Sequence, residues 1–170
     1  MENILLVDGY NIIGAWPELR SLRDKDLESA RDILIEKLAE YRAYTGYQVL
    51  VVFDAHMVPG LEKKRDTHKV KVIFTKENET ADECIEKLAS ELNNIKTQIH
   101  VATSDFTEQW VIFGQGALRK SARELRNEVI EIEGEIKKNV DIIREKKPIS
   151  RITLSDQVSE VFEKWRRGEK

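Results

Sequence analysis

The N-terminal stretch Ile4-Leu5-Leu6-Val7-Asp8-Gly9-Tyr10-Asn11 is an apolar run that ends in an acid and a glycine. Such a run is typical of a strand buried on both faces of a parallel sheet. In open α/β sheets, ligands bind beyond the carboxyl ends of the strands. The sequence therefore places Asp8 at a ligand-binding edge. Gly9 allows the backbone to bend there, and Asn11 could orient Asp8 or contact a phosphate oxygen.

Three further acids occupy comparable positions. Asp54 and Asp105 each follow an apolar run, and Asp82 lies in the first turn of a helix that a Thr80–Glu83 capping box begins. Converging carboxylates repel one another unless a cation with oxygen ligands compensates their charge. The pattern therefore predicts a Mg2+ or Mn2+ site with four candidate ligands, Asp8, Asp54, Asp82 and Asp105.

Each acid also has a purely structural explanation. The helix dipole favours an acid in the first turn, which could account for Asp82 and, beside the capping residue Ser104, for Asp105. Glu79 or Glu83 could replace Asp82 as the ligand. An acid at a strand end can also cap a helix or hold a loop, so the recurrence of the pattern carries more weight than any one position.

The order of the predicted elements indicates a three-layer α/β/α sandwich around a mainly parallel sheet of about four or five strands. We expect one domain over residues 1–170, with a C-terminal helical extension at about 139–170. The predicted elements are a strand at 3–8, a short helix ending before Trp16, a loop at 18–25, a helix from Leu27 to Gly46, a strand at 48–53, a loop at 55–69, a strand at 70–75, a helix to Leu92, a strand at 98–103, a helix from Ser104, a short strand at 116–119, a helix from Ser121 with Gly134 and Pro148 as interruptions, and a last helix at 155–167.

The composition restricts the class of protein. The chain has 170 residues, of which 41% are apolar and 35% charged, with a net charge of −3. This balance indicates a cytoplasmic globular protein and argues against non-specific coating of nucleic acid. The single cysteine, Cys84, excludes an intramolecular disulfide and a cysteine-rich zinc site. We expect no membrane segment and no organic cofactor, since no G-x-G-x-x-G follows the first strand.

The motifs together resemble the NYN branch of the PIN-like nucleases. The matching segments are Val7–Asn11, Val52–Ala55, Glu79–Asp82 and Thr103–Asp105. Two further segments, Gly114–Arg119 and Ser121–Leu125, resemble the YacP-type subfamily. The similarity runs in order from Asp8 to about Glu128, and it is specific as a set.

The resemblance implies a PIN-like parallel sheet and a magnesium-dependent endoribonuclease. YacP-type members associate with ribosomes and cleave translated mRNA, so the resemblance implies mRNA and the ribosome as partners and the decoding site as the place of cleavage. Carried over by motif, Asp8 and Asp82 are the essential metal-binding acids, Asp105 is a third, and Asn11 and Asp54 support them. Hydrolysis by metal-activated water suits this set.

Two groups of basic residues are candidates for RNA contact. Lys63, Lys64, Arg65 and Lys69 lie in a polar loop that could instead simply be solvated. Arg119, Lys120 and Arg123 lie near a helix start, where backbone N–H groups also attract phosphate.

Two other functions are compatible with parts of the pattern. A non-catalytic RNA- or ribosome-binding module could retain the fold without the chemistry. A phosphatase of the haloacid dehalogenase type also begins with an acid at a strand end, but it needs a second aspartate where this chain has Tyr10.

Overall fold

The computed structural model describes residues 1–55, 65–67, 70–104, 116–166 and 168, with the backbone alone at 65–67 and 145–165. The strands are β1 (Glu2–Asp8), β2 (Gln48–Phe53), β3 (Arg65–Thr67), β4 (Val70–Phe74), β5 (Thr97–Ala102) and β6 (Leu118–Lys120). The helices are α1 (Gly9–Ala15), α2 (Pro17–Arg23), α3 (Leu27–Thr45), α4 (Ala81–Leu92) and α5 (Ala122–Arg166).

The strands form one sheet in the order β3-β4-β2-β1-β5-β6. Strands β4, β2, β1, β5 and β6 are parallel, which confirms the predicted mainly parallel sheet. Strand β3 adds an antiparallel edge, where the sequence predicted a loop. Its three residues have no alternating apolar pattern, so pairing with β4 determines this strand more than its own composition does.

Side chains alternate between two apolar layers on the faces of the sheet. Leu5 and Val7 of β1 belong to the layer that contains α1 to α3 and the start of α5. Ile4 and Leu6 belong to the layer that contains α4. The predicted three-layer α/β/α arrangement is therefore confirmed, and β1 is buried from both sides.

The predicted helix ends are found where capping chemistry favours them. Gly46, at φ 79°, ends α3 in the left-handed conformation that glycine adopts most readily. The Thr80 hydroxyl accepts a hydrogen bond from the Glu83 N–H at 3.2 Å and begins α4. The Ser121 hydroxyl accepts one from the Glu124 N–H at 3.1 Å and begins α5. These caps fix where the helices leave the edge of the sheet.

Two predictions about helices were wrong. The segment expected to be a loop at 18–25 forms most of α2, because Pro17 begins a helix at a position where its fixed φ and missing N–H are not a disadvantage. Leu19, which is 1% exposed, anchors this helix in the core. Helix α5 continues through Gly134 and Pro148. These residues cost a helix about 1 and 3 kcal/mol respectively, and the 45-residue helix contains both.

The chain divides into two compact units, Met1–Ile132 and Glu133–Lys170. The sheet and every site residue discussed below belong to the first unit. Among the described residues, the helices include none with the length and apolarity needed to cross a bilayer.

Candidate active site

Asp8 lies at the carboxyl end of β1, between two parallel neighbours. It pairs in register with Val52 of β2, while the preceding Val7 pairs with Ala102 of β5. Asp8 occupies the N-cap position of α1, yet its side chain makes no capping hydrogen bond to the helix. It is only 8% exposed. Capping of α1 therefore does not explain why this carboxylate is buried at the edge of the sheet.

The position after Asp8 has no room for a side chain. A Cβ built on Gly9 would overlap Cε1 of the Phe53 ring, so any larger residue would force a neighbour to move. The Phe53 ring is fully buried and lies 5.0 Å from the Tyr10 ring and 5.5 Å from the Phe74 ring, centroid to centroid. The chain therefore turns from β1 into α1 directly against a buried aromatic ring.

Asn11 connects α1 to the end of β5. Its Oδ1 accepts hydrogen bonds from the backbone N–H and the hydroxyl of Ser104, both at 2.6 Å. Ser104 directly precedes Asp105, which lies outside the described residues. The structure thus gives Asn11 a positioning contact next to the third predicted acid.

Asp54 follows β2 at the same edge of the sheet. Two hydrogen bonds of Thr75 connect the ends of β2 and β4. The Thr75 N–H donates to the Phe53 carbonyl at 3.0 Å, and the Thr75 hydroxyl accepts from the Ala55 N–H at 2.9 Å. Burial raises the pKa of Tyr10, the nearby Arg31 guanidinium opposes this rise, and the charge of Asp54 adds to it. Asp54 is therefore close enough to influence Tyr10 electrostatically.

Asp82 lies in the first turn of α4, where Thr80 already supplies the cap. It is partly exposed. Helix α4 follows β4 and packs against β1, β2 and β5, so its first turn belongs to the carboxyl edge of the sheet. The structural alternative for Asp82, an acid favoured by the helix dipole in the first turn, is compatible with this position.

The residues present suit a hard cation by their chemistry. Asp8 and Asp54 follow adjacent parallel strands, and Mg2+ needs only one or two protein carboxylates, with water and substrate phosphate completing its coordination. Within the described ranges, no group of three or more His, Cys, Asp or Glu residues is arranged to hold a metal ion. The predicted contribution of Asp105 lies outside those ranges.

Lys120, predicted to contact RNA, is turned into the protein. It is 9% exposed, and its Nζ lies 2.6 Å from Oε1 of Glu128. Nζ also donates to the Tyr41 hydroxyl at 3.3 Å, and that hydroxyl donates to Glu128 at 3.0 Å. Burial and the adjacent Glu128 charge raise the pKa of Tyr41. The ammonium group of Lys120 is therefore held in an internal ion pair, and it does not face solvent as an RNA contact would.

Arg119 and Arg123 line an open cavity at the ends of β5 and β6. The cavity has a volume of about 470 Å³. We call it the arginine pocket, and its lining residues are Ala15, Trp16, Pro17, Ser104, Arg119, Ser121, Ala122, Arg123 and Arg126. The sequence indicated the arginines through their position at a helix start. It gave no indication that Trp16 and Pro17 line the same cavity, since that depends on how α2 packs.

The other predicted RNA contacts cannot be placed in the same way. Lys63, Lys64 and Lys69 lie outside the described residues, and Arg65 is described only through the backbone of β3.

Comparison with known proteins gives the family. The family model described as "YacP-like NYN domain" matches residues 5–167. The chain belongs to the YacP-like NYN domain family. It is 66% identical over 167 residues to a Bacillus subtilis (strain 168) protein named "Uncharacterized protein YacP", covering 98% of both chains.

Two solved structures from the same organism are similar to this member of the family. The crystal structure of Rae1 (YacP) from Bacillus subtilis has 67% sequence identity and a TM-score of 0.77, covering 97% of this chain and 95% of that one. A tryptophan-to-leucine mutant of Rae1 has 61% identity and a TM-score of 0.74, covering 99% and 96%. The expected family and fold are therefore confirmed.

Proposed function

We propose that this protein is a Mg2+- or Mn2+-dependent endoribonuclease that hydrolyses phosphodiester bonds in mRNA, in association with the translating ribosome in the cytoplasm. The observation that carries the proposal is the burial of Asp8 at the end of the central strand β1, without a capping role. Membership of the YacP-like NYN family supports the same conclusion.

In this proposal Asp8, Asp82 and Asp105 hold the cation, with Asp54 as a further ligand. A bound divalent cation would make a water molecule more nucleophilic and offset negative charge on the phosphate oxygens. Asn11 keeps the Ser104 backbone in place, and Gly9 and Phe53 fix the turn that carries Asp8. No covalent protein nucleophile is needed.

The proposed recruitment by the ribosome is consistent with charge. The chain carries a net charge of −3, so free RNA is attracted only through local basic groups such as those of the arginine pocket. A protein of this kind gains affinity for mRNA when a larger partner holds both together.

The decisive test replaces Asp8 by Asn. We expect Asp8→Asn to lower the rate of mRNA cleavage in Mg2+ by at least about 100-fold, beyond the 10–100-fold typical when an outer-shell partner is lost. Asp32→Asn, an exposed acid on α3, is the matched control. EDTA should abolish cleavage, and Mn2+ or Mg2+ should restore it.

Both variants should be assayed on free mRNA and on translating ribosomes, with thermal melting to confirm folding. Cleavage by Asp8→Asn at the normal rate would contradict the proposal. RNA binding without cleavage by the wild-type protein, under either metal and on ribosomes, would favour a non-catalytic RNA-binding module.

A further inference from the structure

We propose that the arginine pocket binds one nucleotide of single-stranded RNA beside the scissile bond, with its phosphate on the arginines and its base or ribose on the apolar wall. This inference rests on the proposed nuclease function and specifies how that site holds its substrate.

The arginine pocket lies next to the carboxyl edge of the sheet that carries Asp8. Ser104 lines the pocket and is hydrogen-bonded to Asn11, three residues after Asp8. Strand β5 lies directly between β1 and β6. Because neighbouring strands are about 5 Å apart, the pocket at the end of β6 lies about 10 Å from the end of β1. That separation lets one RNA strand reach both places.

The charge of the pocket suits a phosphodiester. Arg119 and Arg123 are exposed, and within the described part of the chain neither has an acidic partner. A guanidinium group binds phosphate oxygens through paired N–H donors. Ser121 and Ala122 place the beginning of α5 in the same wall, where backbone N–H groups add attraction for an anion.

The pocket also has an apolar side. Ala15 and Pro17 supply apolar surface to the same cavity as the arginines, and the buried Trp16 supports that surface from beneath. Trp16 is 1% exposed, and its indole N–H donates to the Ala122 carbonyl at 2.8 Å, so this side is held in place. The volume of about 470 Å³ lies within the range of small-molecule sites. Cationic groups and apolar surface in one cavity suit the phosphate and the base or ribose of a single nucleotide.

Glu18 acts as an internal competitor for the phosphate. The Arg126 Nε donates to both carboxylate oxygens of Glu18 at 3.2 Å. Both side chains are partly exposed, so this pair is weak and exchangeable. An RNA phosphate entering the pocket can replace Glu18 as the acceptor for Arg126.

The test measures binding of a short fluorescent single-stranded RNA by anisotropy, without divalent metal so that no cleavage occurs. We expect Arg119→Gln and Arg123→Gln each to weaken binding about tenfold and to reduce the slope of log K against log[salt] by about 0.7, the value for one phosphate contact on a single strand. Arg144→Gln, at an exposed arginine of α5 that does not line the pocket, is the matched control and should bind normally. Wild-type affinity in the folded Arg119→Gln/Arg123→Gln double variant would overturn the proposal.

Two further arms separate the parts of the proposal. Glu18→Gln should tighten RNA binding about threefold, because it removes a carboxylate that competes with RNA for Arg126 through only a weak surface ion pair. Unchanged or weaker binding would overturn the competitor role. A nucleoside 5′-monophosphate should displace the RNA at a lower concentration than inorganic phosphate does. Equal displacement by both would overturn the assignment of a nucleotide.

The outcomes also distinguish this inference from the nuclease proposal. If Asp8→Asn abolishes cleavage but the arginine variants bind RNA normally, the pocket assignment fails and the nuclease stands. If binding depends on the arginines but the wild-type protein cleaves no RNA, the nuclease fails and the pocket stands.

Discussion

Asn11 and Ser104 are 93 residues apart in the chain, and a single oxygen atom of Asn11 joins them through two hydrogen bonds of 2.6 Å. One donor is the backbone N–H of Ser104 and the other is its hydroxyl. The contact fixes the segment after β5 to the helix that follows Asp8. This contact differs from the two roles that the sequence suggested for Asn11, which were orienting Asp8 and touching a phosphate oxygen.

We expect Asn11→Ala to lower kcat for RNA cleavage about tenfold with little change in KM, because the chain leading to Asp105 loses its anchor. Stability should fall by about 0.5–1.5 kcal/mol, the net value of a typical hydrogen bond, because water can replace the acceptor of the exposed Ser104 donors. Cleavage kinetics and urea unfolding measure both effects. Asn11→Asp keeps an acceptor and should recover most of the stability, and Ser104→Ala should have a smaller effect. Equal kcat in Asn11→Ala and wild type would contradict the positioning role.

Gly9→Ala should destabilise the protein by about 3 kcal/mol, because the new methyl group would overlap the buried Phe53 ring. The cost should shrink in the Phe53→Leu background, where the ring is absent. A double-mutant cycle of chemical unfolding should therefore give a coupling energy of at least about 1 kcal/mol. Gly134→Ala, at a position with open space around the added carbon, is the control and should be neutral or stabilising. Additive effects of the Gly9 and Phe53 changes would show that the predicted overlap is relieved elsewhere.

The Lys120–Glu128 pair should matter for stability and not for RNA affinity. Glu128→Ala leaves the buried Lys120 ammonium without its carboxylate and should cost about 2 kcal/mol, less than a fully buried pair because Glu128 remains 40% exposed. Lys138→Met, which breaks an exposed pair with Glu135, should change stability by less than about 0.5 kcal/mol. Thermal unfolding and RNA anisotropy test the two properties separately. Weakened RNA binding in the folded Lys120→Met variant would return Lys120 to the RNA surface.

His100 should make stability depend on pH. Its pKa is lowered chiefly by burial and then by the Lys120 charge, while Glu128 acts in the opposite direction. Its Nε2 also lies 3.1 Å from the Asn3 Oδ1. The unfolded chain thus binds the proton more tightly than the folded protein does, and stability should fall as pH drops below about 6.5. His100→Gln should reduce the difference between melting temperatures at pH 8 and pH 5.5. An unchanged difference would exclude His100 as its source.

The sequence predicted the boundaries of strands and helices correctly where neighbouring residues determine them. The apolar run before Asp8, the capping box at Thr80 and the glycine at position 46 each set an element boundary through their own residues, and the structure has all three. The expected strand 48–53 also matches β2. The carboxyl edge of the sheet could be inferred because parallel strands end together.

Tertiary packing decided what the sequence could not show. The sequence predicts a loop at 18–25, yet the segment forms most of α2, which begins at Pro17 and buries Leu19. Lys120 resembled its basic neighbours, but it is buried and paired with Glu128 of α5, a contact that its own strand does not predict. The same packing of α2 brings Trp16 to the cavity lined by the arginines, where it bonds to Ala122, 106 positions along the chain.

Strand β1 is paired along nearly its whole length on both sides and is sealed by apolar side chains on both faces. Amide protons of Leu6 and Val7 should consequently exchange with solvent only when the whole first unit opens. Asp8, at the end of this strand, should therefore not be displaced by local unfolding. Heat or denaturant should therefore inactivate the protein and unfold it in the same transition, and partial loss of activity should report the unfolded fraction directly.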